Sequence, residues 1–529
     1  MDIDRVLARQ ERMEGRRANW ESLWESVARL VLPISDDFRS GHSPGGQRNQ
    51  QQYDAFPQAA LDKFAAAIEA GTMPRQTYWH RMTTGDPELD QRQEVQAYLE
   101  EVNQTLWRER YHPLGNFASQ AHETRISLGA FGTGCVLIEP RKGGGIKYRA
   151  IHLSEIFIEE NAEGIVDTIH RKFSLGARQA IQLFGKDTPQ KIIDRYQSGK
   201  TEDRFEFMHI VQPKEETELG FPTQGRYMFE KSFVGDEPER FRSNPYIVSR
   251  YATSTREIYG RSPAIMMLPD ISMLNEMRRT VIEAANMAVD KPVLMHEDVS
   301  EFDLTPGTRN PGTLDDNGNP MARPWDDNSR VDIGMEMIAD TRAQIDDGFL
   351  GVYFRVLLEN PNMTATQAML IAQQQGQMTA PTVGRLQNEW LGPQIRRESS
   401  ILFSQGKLPQ MPQILAQRGK ALEIEYETPM TRQAKNEEGV GLLRAFEALA
   451  GPAQVDPSVY DKFDFDKVAE IVSEVNGVPA RALKSDEQLA QERAQEQTSQ
   501  TMQQMVDAAP VMANTAKTLA ETQQMQMPS

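Results

Sequence analysis

Ala264 to Asp290 reads AIMMLPDISMLNEMRRTVIEAANMAVD, and the architecture turns on this stretch. Ile271, Leu274, Met277, Val281, Ala285 and Ala288 fall three or four residues apart, the period of one helix face. The spacing predicts a helix of about 24 residues, roughly 36 Å long. The next segment, 291–334, breaks that period with prolines at 292, 306, 311, 320 and 324 and several glycines. A second helix is then predicted over about 335–358, with Ile338, Ile345, Phe349, Val352 and Val356 in register. Two long helices joined by a compact Pro/Gly-rich insert predict a stalk that carries a small module.

Outward from the stalk, the N-terminal half mixes two periods. Residues 4–31 predict an amphipathic helix on Val6, Met13, Trp20, Trp24, Val27 and Val31, supported by Arg17/Glu21 and Glu25/Arg29 four apart and stopped by Pro33. A polar loop, 40–52, leads to a helix on Leu61, Phe64, Ala65 and Ile68 that ends near Gly71. Asp86-Pro87 matches an N-cap with proline at the first helical position, and Val95, Leu99, Val102 and Leu106 form the stripe that follows. From Phe131 the period becomes two. Cys135–Glu139 and Ile146–Ala150 flank Arg-Lys-Gly-Gly-Gly as a hairpin, with further strands expected at 165–173, 204–213, 226–235 and 245–252 and short helices at 176–197. The class is α+β, helix-rich, with an antiparallel sheet. Beyond the stalk, Thr364 and Gln367 match a capping box opening a helix towards Gln405, with Pro381, Gly384 and Pro393 expected to kink it. A strand is expected at 422–427, helices at 433–450 and 464–475, and a Gln/Met-rich tail over 485–529, helical or disordered.

Composition bounds the function. The 529 residues carry 58 Lys+Arg against 76 Asp+Glu, a net charge of −18. That balance opposes wrapping a nucleic-acid backbone, which needs clustered cations, but allows loose passage of DNA through an acidic hole. A mean hydropathy of −0.58 and the lack of an apolar run near 18 residues exclude a membrane-spanning helix, and the first residues carry no apolar signal stretch. One cysteine, Cys135, excludes an intrachain disulfide and a Cys-rich zinc site. These features predict a soluble protein of a reducing compartment.

Motifs that suggest catalysis fail on inspection. Ser198-Gly-Lys-Thr201 ends like a phosphate-binding loop, but the glycine needed five residues before Gly199 is Asp194, so a polar turn accounts for it better. Asp315-Asp-Asn-Gly-Asn-Pro320 begins like a calcium loop, yet its sixth position is Pro320 and its twelfth Asp326; a loop tip is favoured. His122-Glu123 has Ile126 where a zinc-binding helix needs a second His. Cys135 reads as a small buried residue without an activating partner. Arg256, Arg261, Arg278, Arg279 and Arg355 are candidates to face a polyanion, with solvated faces and ion pairs the plainer account of each. The abundant methionines near the first long helix suit adaptable subunit packing. No cofactor and no enzymatic activity are expected.

Tyr259-Gly-Arg-Ser-Pro-Ala-Ile-Met-Met-Leu-Pro-Asp-Ile-Ser-Met-Leu-Asn275 resembles the core signature of the portal, or head-to-tail connector, of short-tailed double-stranded DNA phages. Met363–Met369, Leu386–Pro393, Gly406–Pro412, Glu423–Tyr426 with Pro429, and the blocks Trp20–Pro33 and Tyr53–Trp79 match in the same order. The resemblance covers about residues 1–480, and its strength lies in order and spacing rather than in any one block. It implies a portal fold that closes into a ring, twelve-fold in the particle, with an α+β wing over 1–262. The first stem helix would be 263–290, the clip 291–334, the second stem helix 335–357 and the tunnel loop 358–364. A long kinked wing helix and return strand would follow at 365–432, a crown at 433–484 and the tail at 485–529.

The same resemblance implies a place in the virion, at one capsid vertex, and in the host cytoplasm during assembly. Implied partners are viral double-stranded DNA in the channel, the large terminase, then tail adaptor or tail tube proteins, and the major capsid and scaffolding proteins. The tunnel-loop candidates to face DNA are Glu359, Asn360, Asn362 and Met363, acting through steric contact more than phosphate pairing. Stem candidates are Arg278, Arg279 and Arg355; clip docking candidates are His296, Arg309, Arg323 and Trp325. An internal scaffold or ejection protein is the alternative, although it explains neither the sheet nor the insert between long helices. A packaging enzyme would need the phosphate-binding loop or carboxylate cluster that the sequence does not supply.

Overall fold

The computed structural model describes residues 1–35, 38, 46, 48–90, 92–200, 202–214, 222–299, 302–325, 331–351, 381–418, 422–427, 441, 444–449, 463–475, 492 and 495. The chain divides into two units, Met1–Trp79 with Thr105–Leu408, and His80–Gln104 with Pro409–Ser529.

The first unit is built on the helix Ile3–Val31, whose N-cap Asp2 accepts the Asp4 N–H and whose end is fixed just before Pro33. Its buried stripe holds Val6, Met13, Trp24, Val27 and Val31, as the spacing predicts. Arg17 also lies on that stripe. Its pair with Glu21 forms as expected, at 2.8 Å, but the guanidinium is buried and donates to the Leu153, Ser154 and Ile156 carbonyls. What reads in sequence as a surface pair is therefore a core arginine with its donors occupied.

Two antiparallel sheets follow. Three strands run in the order Ile146–Ile151, Thr133–Pro140, Tyr246–Arg250. Five run in chain order as a meander: Ile156–Glu160, Val166–Gly176, Arg204–Pro213, Thr223–Phe229 and Ser232–Phe241. Alternation decides their faces. Phe207 and Phe229 point to the helices Ala177–Phe184 and Gln190–Gln197, packing with Ala177, Ala180 and Ile192. Their neighbours Met208 and Met228 point the other way, onto Val6 of the first helix. The strand expected over 226–235 is in fact two, because Glu230 and Lys231 both take positive φ (44° and 64°) and reverse the chain as a two-residue turn. The strand Ile156–Glu160 is an addition to the sequence reading.

The helix Gly392–Ser404 closes this unit through a buried polar chain. Arg110 pairs with Glu398 at 2.5 Å, both fully buried, while Tyr148 OH and Gln394 Nε2 donate to the same carboxylate, each at 2.8 Å. The kink expected near Pro393 takes the form of a π turn over Gln387–Leu391, in which Gly392 N–H reaches back to the Gln387 carbonyl. The capping box at Thr364 and Gln367 lies outside the described residues.

The second unit holds a two-stranded antiparallel sheet, His80–Thr83 against Glu423–Tyr426, which includes the expected 422–427 strand. Asp86 caps the short helix Pro87–Asp90 by accepting the Glu88 N–H at 3.2 Å. Helix Phe465–Val475 falls where the sequence places one, and most of the segment read as crown, with nearly all of the tail, lies outside the described residues.

Candidate functional site

The stretch Tyr259–Asn275 makes a root for the first long helix, and several of its residues have a clear physical task. Tyr259 is buried edge-on against Trp24, ring centroids 5.1 Å apart, and burial pushes its hydroxyl up to about 12. Gly260 crosses Gly132 backbone to backbone; a Cβ on either would overlap the other's carbonyl. Ser262 accepts the Ile265 N–H at 2.9 Å while donating to the Ala130 carbonyl at 2.7 Å, so one hydroxyl both caps the helix and ties it to the body. Pro263 follows at the first helical position. After one turn, Pro263–Met266, the outgoing helix Leu268–Val289 begins, with Ile271, Leu274 and Asn275 buried.

The returning helix, Val331–Gly348, packs along it with Ile338, Thr341, Ile345 and Asp346 buried. It starts earlier than the sequence reading, at Val331, and ends at Gly348; the expected span from 352 to 358 lies outside the described residues. Gly348 leads into Phe349, Leu350 takes φ 62°, and the Gly351 N–H folds back onto the Asp346 carbonyl at 2.7 Å. Val352, Val356 and Arg355 lie outside the described residues, as do the tunnel-loop candidates Glu359, Asn360, Asn362 and Met363.

Away from its root the hairpin is bare. Met273, Ile282, Met287 and Val289 are exposed on the outgoing helix, and Ile333, Met335 and Met337 on the returning one. Carboxylates have their own stripes. Glu276, Glu283 and Asp290 recur every seven residues; Asp332, Glu336, Asp340 and Asp347 share a face of the partner helix, and all seven are exposed. From Leu268 to Gly348 the chain has 17 Asp and Glu against 7 Lys and Arg, so this segment supplies ten of the eighteen net negative charges. The stem arginines do not reverse that sign. Arg279 is paired with Glu283 at 3.0 Å and lies 3.9 Å from Glu276, whereas Arg278 lies along the partner helix, 3.9 Å from the Met335 sulfur.

Four polar contacts join the hairpin to the loop and helix that start at Gln51. Asn275 Oδ1 accepts the Tyr53 N–H at 2.7 Å and its Nδ2 donates to the Gln51 carbonyl at 2.9 Å. Arg342 pairs with Asp54 at 2.7 Å, and Asp346 with Lys63 at 3.0 Å. Sequence reasoning passed over all five side chains. Asn275 is a polar residue on an apolar stripe, which is a readable signal; Asp54 and Arg342 are 288 positions apart, and no local pattern links them.

At the far end, Val293–Met295 pairs antiparallel with Ala322–Pro324, Leu294 opposite Arg323. Trp325 N–H donates to the Pro292 carbonyl at 2.7 Å and His296 N–H to the Met321 carbonyl at 2.9 Å, extending the ribbon by a residue each way. His296, Arg309, Arg323 and Trp325 are all exposed on this module. His296 stands 3.1 Å from Asp298, and the indole of Trp325 is on the surface. Asp315 is the anchor of a tight turn, accepting the Asn317 and Asn319 N–H groups; hydrogen bonds led by the Asn319 side chain hold its carboxyl below the usual range. That is the loop tip expected of this stretch.

The remaining motifs take their plainer readings. Gly199 sits at φ 78° in a turn after helix Gln190–Gln197. Cys135 is buried and its thiol is pushed up to about 12, mainly by burial, which removes the thiolate a nucleophile needs. Arg261 is paired with Glu257 at 2.6 Å. Among the described residues, no group of His, Cys, Asp and Glu is arranged to hold a metal, and no helix is long and apolar enough to cross a membrane.

An α+β body that projects a long, acidic and partly apolar helical hairpin with a small exposed module at its tip has the make-up of a structural assembly component. The chain belongs to the bacteriophage head to tail connecting protein family, whose model matches residues 4–483. It is similar to the probable portal protein of Bordetella phage BPP-1, 26% identical over 533 aligned residues that cover 97% of this chain and 94% of that relative. It is also similar to the portal protein of Salmonella phage epsilon15, 24% identical over 551 residues, 98% of this chain and 96% of the relative.

Proposed function

We propose that the protein is a portal that closes into a ring, expected as twelve subunits, at one vertex of the capsid, and that viral double-stranded DNA passes through its centre during packaging and ejection. The observation that carries this reading is the hairpin. Its apolar outer residues need a cover that the described residues of one chain do not supply, and neighbouring copies around a ring would supply it head to tail. Its carboxylate stripes would then line a hole that neither holds nor wraps the phosphates, since grip on DNA grows with each cation set against it. In this reading 263–290 and 335–357 are the stem, 291–334 the clip and 358–364 the tunnel loop, with Glu359, Asn360, Asn362 and Met363 towards DNA.

The clip, with His296, Arg309, Arg323 and Trp325, would dock the large terminase first and a tail adaptor or tail tube protein afterwards. The wing, 1–262 with 365–432, would meet capsid and scaffolding proteins, and the crown, 433–484, with the tail would lie beyond it. The reading places the protein in the virion, assembled from the host cytoplasm, with a structural rather than enzymatic task.

Native mass spectrometry with negative-stain images of one sample tests the reading. Twelve copies of the 59.9 kDa chain weigh about 720 kDa, and top views should show a central hole. A closed ring of eleven or thirteen copies would also support a portal, whereas a compact dimer or tetramer without a hole would sink it.

A further inference from the structure

The two helices of the hairpin are fastened to the body by different chemistry. Mostly neutral, buried contacts hold the outgoing helix: Ile271 and Leu274 in the core, and the buried Asn275 amide with one bond to Tyr53 N–H and one to the Gln51 carbonyl, while the exposed Arg279 adds one charged contact, 5.8 Å from the Tyr53 ring. The returning helix buries Ile338, Thr341 and Ile345, and its sideways ties to the loop and helix after Gln51 are charged. Asp54 is 3% exposed, but its partner Arg342 is 38% exposed, and Lys63, the partner of Asp346, is 47% exposed. The Arg342 fork is also half used, for its buried Nε has no partner. Both cations stand over the single ring of Phe56, Lys63 at 5.8 Å and Arg342 at 5.7 Å, so a shift at one is felt at the other.

The seam between the helices is smooth on the returning side. A Cβ added at Gly334 would lie 2.9 Å from Val281, and one at Gly348 would lie 2.7 Å from Met267. At both places the returning helix meets its partner with backbone, and no side-chain ridge there locks the two in register. Its buried end is apolar, with Ile345 in the core and Phe349 edge-on to Phe64.

We infer that the hairpin is built as one fixed arm and one releasable arm. The outgoing helix stays with the body, and the returning helix swings about Ile345 and Phe349 when the pairs Asp54–Arg342 and Lys63–Asp346 open. Buried neutral hydrogen bonds are insensitive to ionic strength, whereas pairs with half-exposed cations weaken as salt rises. The two arms are a property of the single chain; only their use, adjusting one wall of a channel while the other stays tied down, rests on the portal reading.

Hydrogen exchange on the full-length protein, in whatever oligomer it forms, tests this on peptides covering Ile338–Phe349 and Ile271–Val281. Asp54→Asn keeps an oxygen for the Phe56 N–H that Asp54 caps at 2.9 Å but removes the charge, and Lys63→Met removes the second pair. The double variant should exchange faster in Ile338–Phe349 by about tenfold, with Ile271–Val281 unchanged. Wild-type protein taken from about 0.05 M to about 0.5 M salt should move the same way by a smaller factor. If the double variant does not fold, the wild-type salt series decides on the same two peptides. Equal acceleration in both helices, or in neither, overturns the inference. Ring formation is read separately by mass, so a monomer with the expected exchange would refute the ring and leave the two arms standing.

Discussion

His170 shows how a single buried residue turns local geometry into a solution property. It lies in the second strand of the five-stranded sheet, Val166–Gly176, fully buried, with Nδ1 2.9 Å from the Gln10 side-chain oxygen and no partner on Nε2. Burial first, then the nearby Arg9, Lys172 and His209, pull its imidazole from 6.5 down to about 3. In the unfolded chain the ring takes up a proton below its ordinary value, while in the folded chain it stays neutral until near 3. The unfolded state therefore binds more protons across that window, and stability falls as pH drops from about 6.5 towards 3, by up to about 1.4 kcal/mol per pH unit from this group. Urea unfolding at pH 7 and pH 5 should show a loss of up to about 2 kcal/mol that His170→Gln largely removes, although the variant starts less stable. An unchanged pH slope in the variant would refute the assignment. Only Lys172, two residues on along the same strand, is visible in the local sequence; Arg9 and Gln10 meet His170 through the packing of the first helix on the sheet.

Among elements, periodicity carried most of the fold. The helices Ile3–Val31 and Leu268–Val289, the hairpin Thr133–Pro140 with Ile146–Ile151, and the strand Glu423–Tyr426 stand where their spacing put them. Failures fall where a backbone event interrupts a pattern that side chains continue. Phe349 continues the helical period past Gly348, yet the helix ends there and Leu350 takes positive φ; Glu230-Lys231 turns inside a run that reads as one strand. The tip module illustrates what composition does give. Its prolines and glycines forecast a loop-rich insert, and only Val299 is buried among its described residues, 291–299 and 302–325. Replacing 297–319 with a short Gly/Ser turn should therefore change the unfolding free energy by less than about 1 kcal/mol, as the ribbon Val293–Met295 with Ala322–Pro324 remains to join the helices. Under the portal reading the same deletion abolishes capture of terminase by pull-down. A large loss of stability would mean that the tip packs on the body.

At the scale of the whole molecule, the hairpin forces a choice between an exposed apolar surface and an assembly. Ile282 and Met337 are exposed, at 37% and 51%, and lie on the two helices beyond the root contacts, where nothing among the described residues covers them. Carboxylates at these positions leave the body untouched, so Ile282→Asp and Met337→Asp should shift thermal unfolding of the monomer by no more than about 0.5 kcal/mol each. In a ring the same substitutions would place charge at an apolar contact repeated at every subunit boundary. The burial penalty would then recur around the circle, and closure, which needs every boundary at once, should fail. Native mass measured at the concentration where wild type forms rings should accordingly give monomers or open fragments for the double variant, with circular dichroism unchanged. Rings that persist with both aspartates in place would show that these faces are not the subunit contact, and the exposed methionines would then need a partner of another kind.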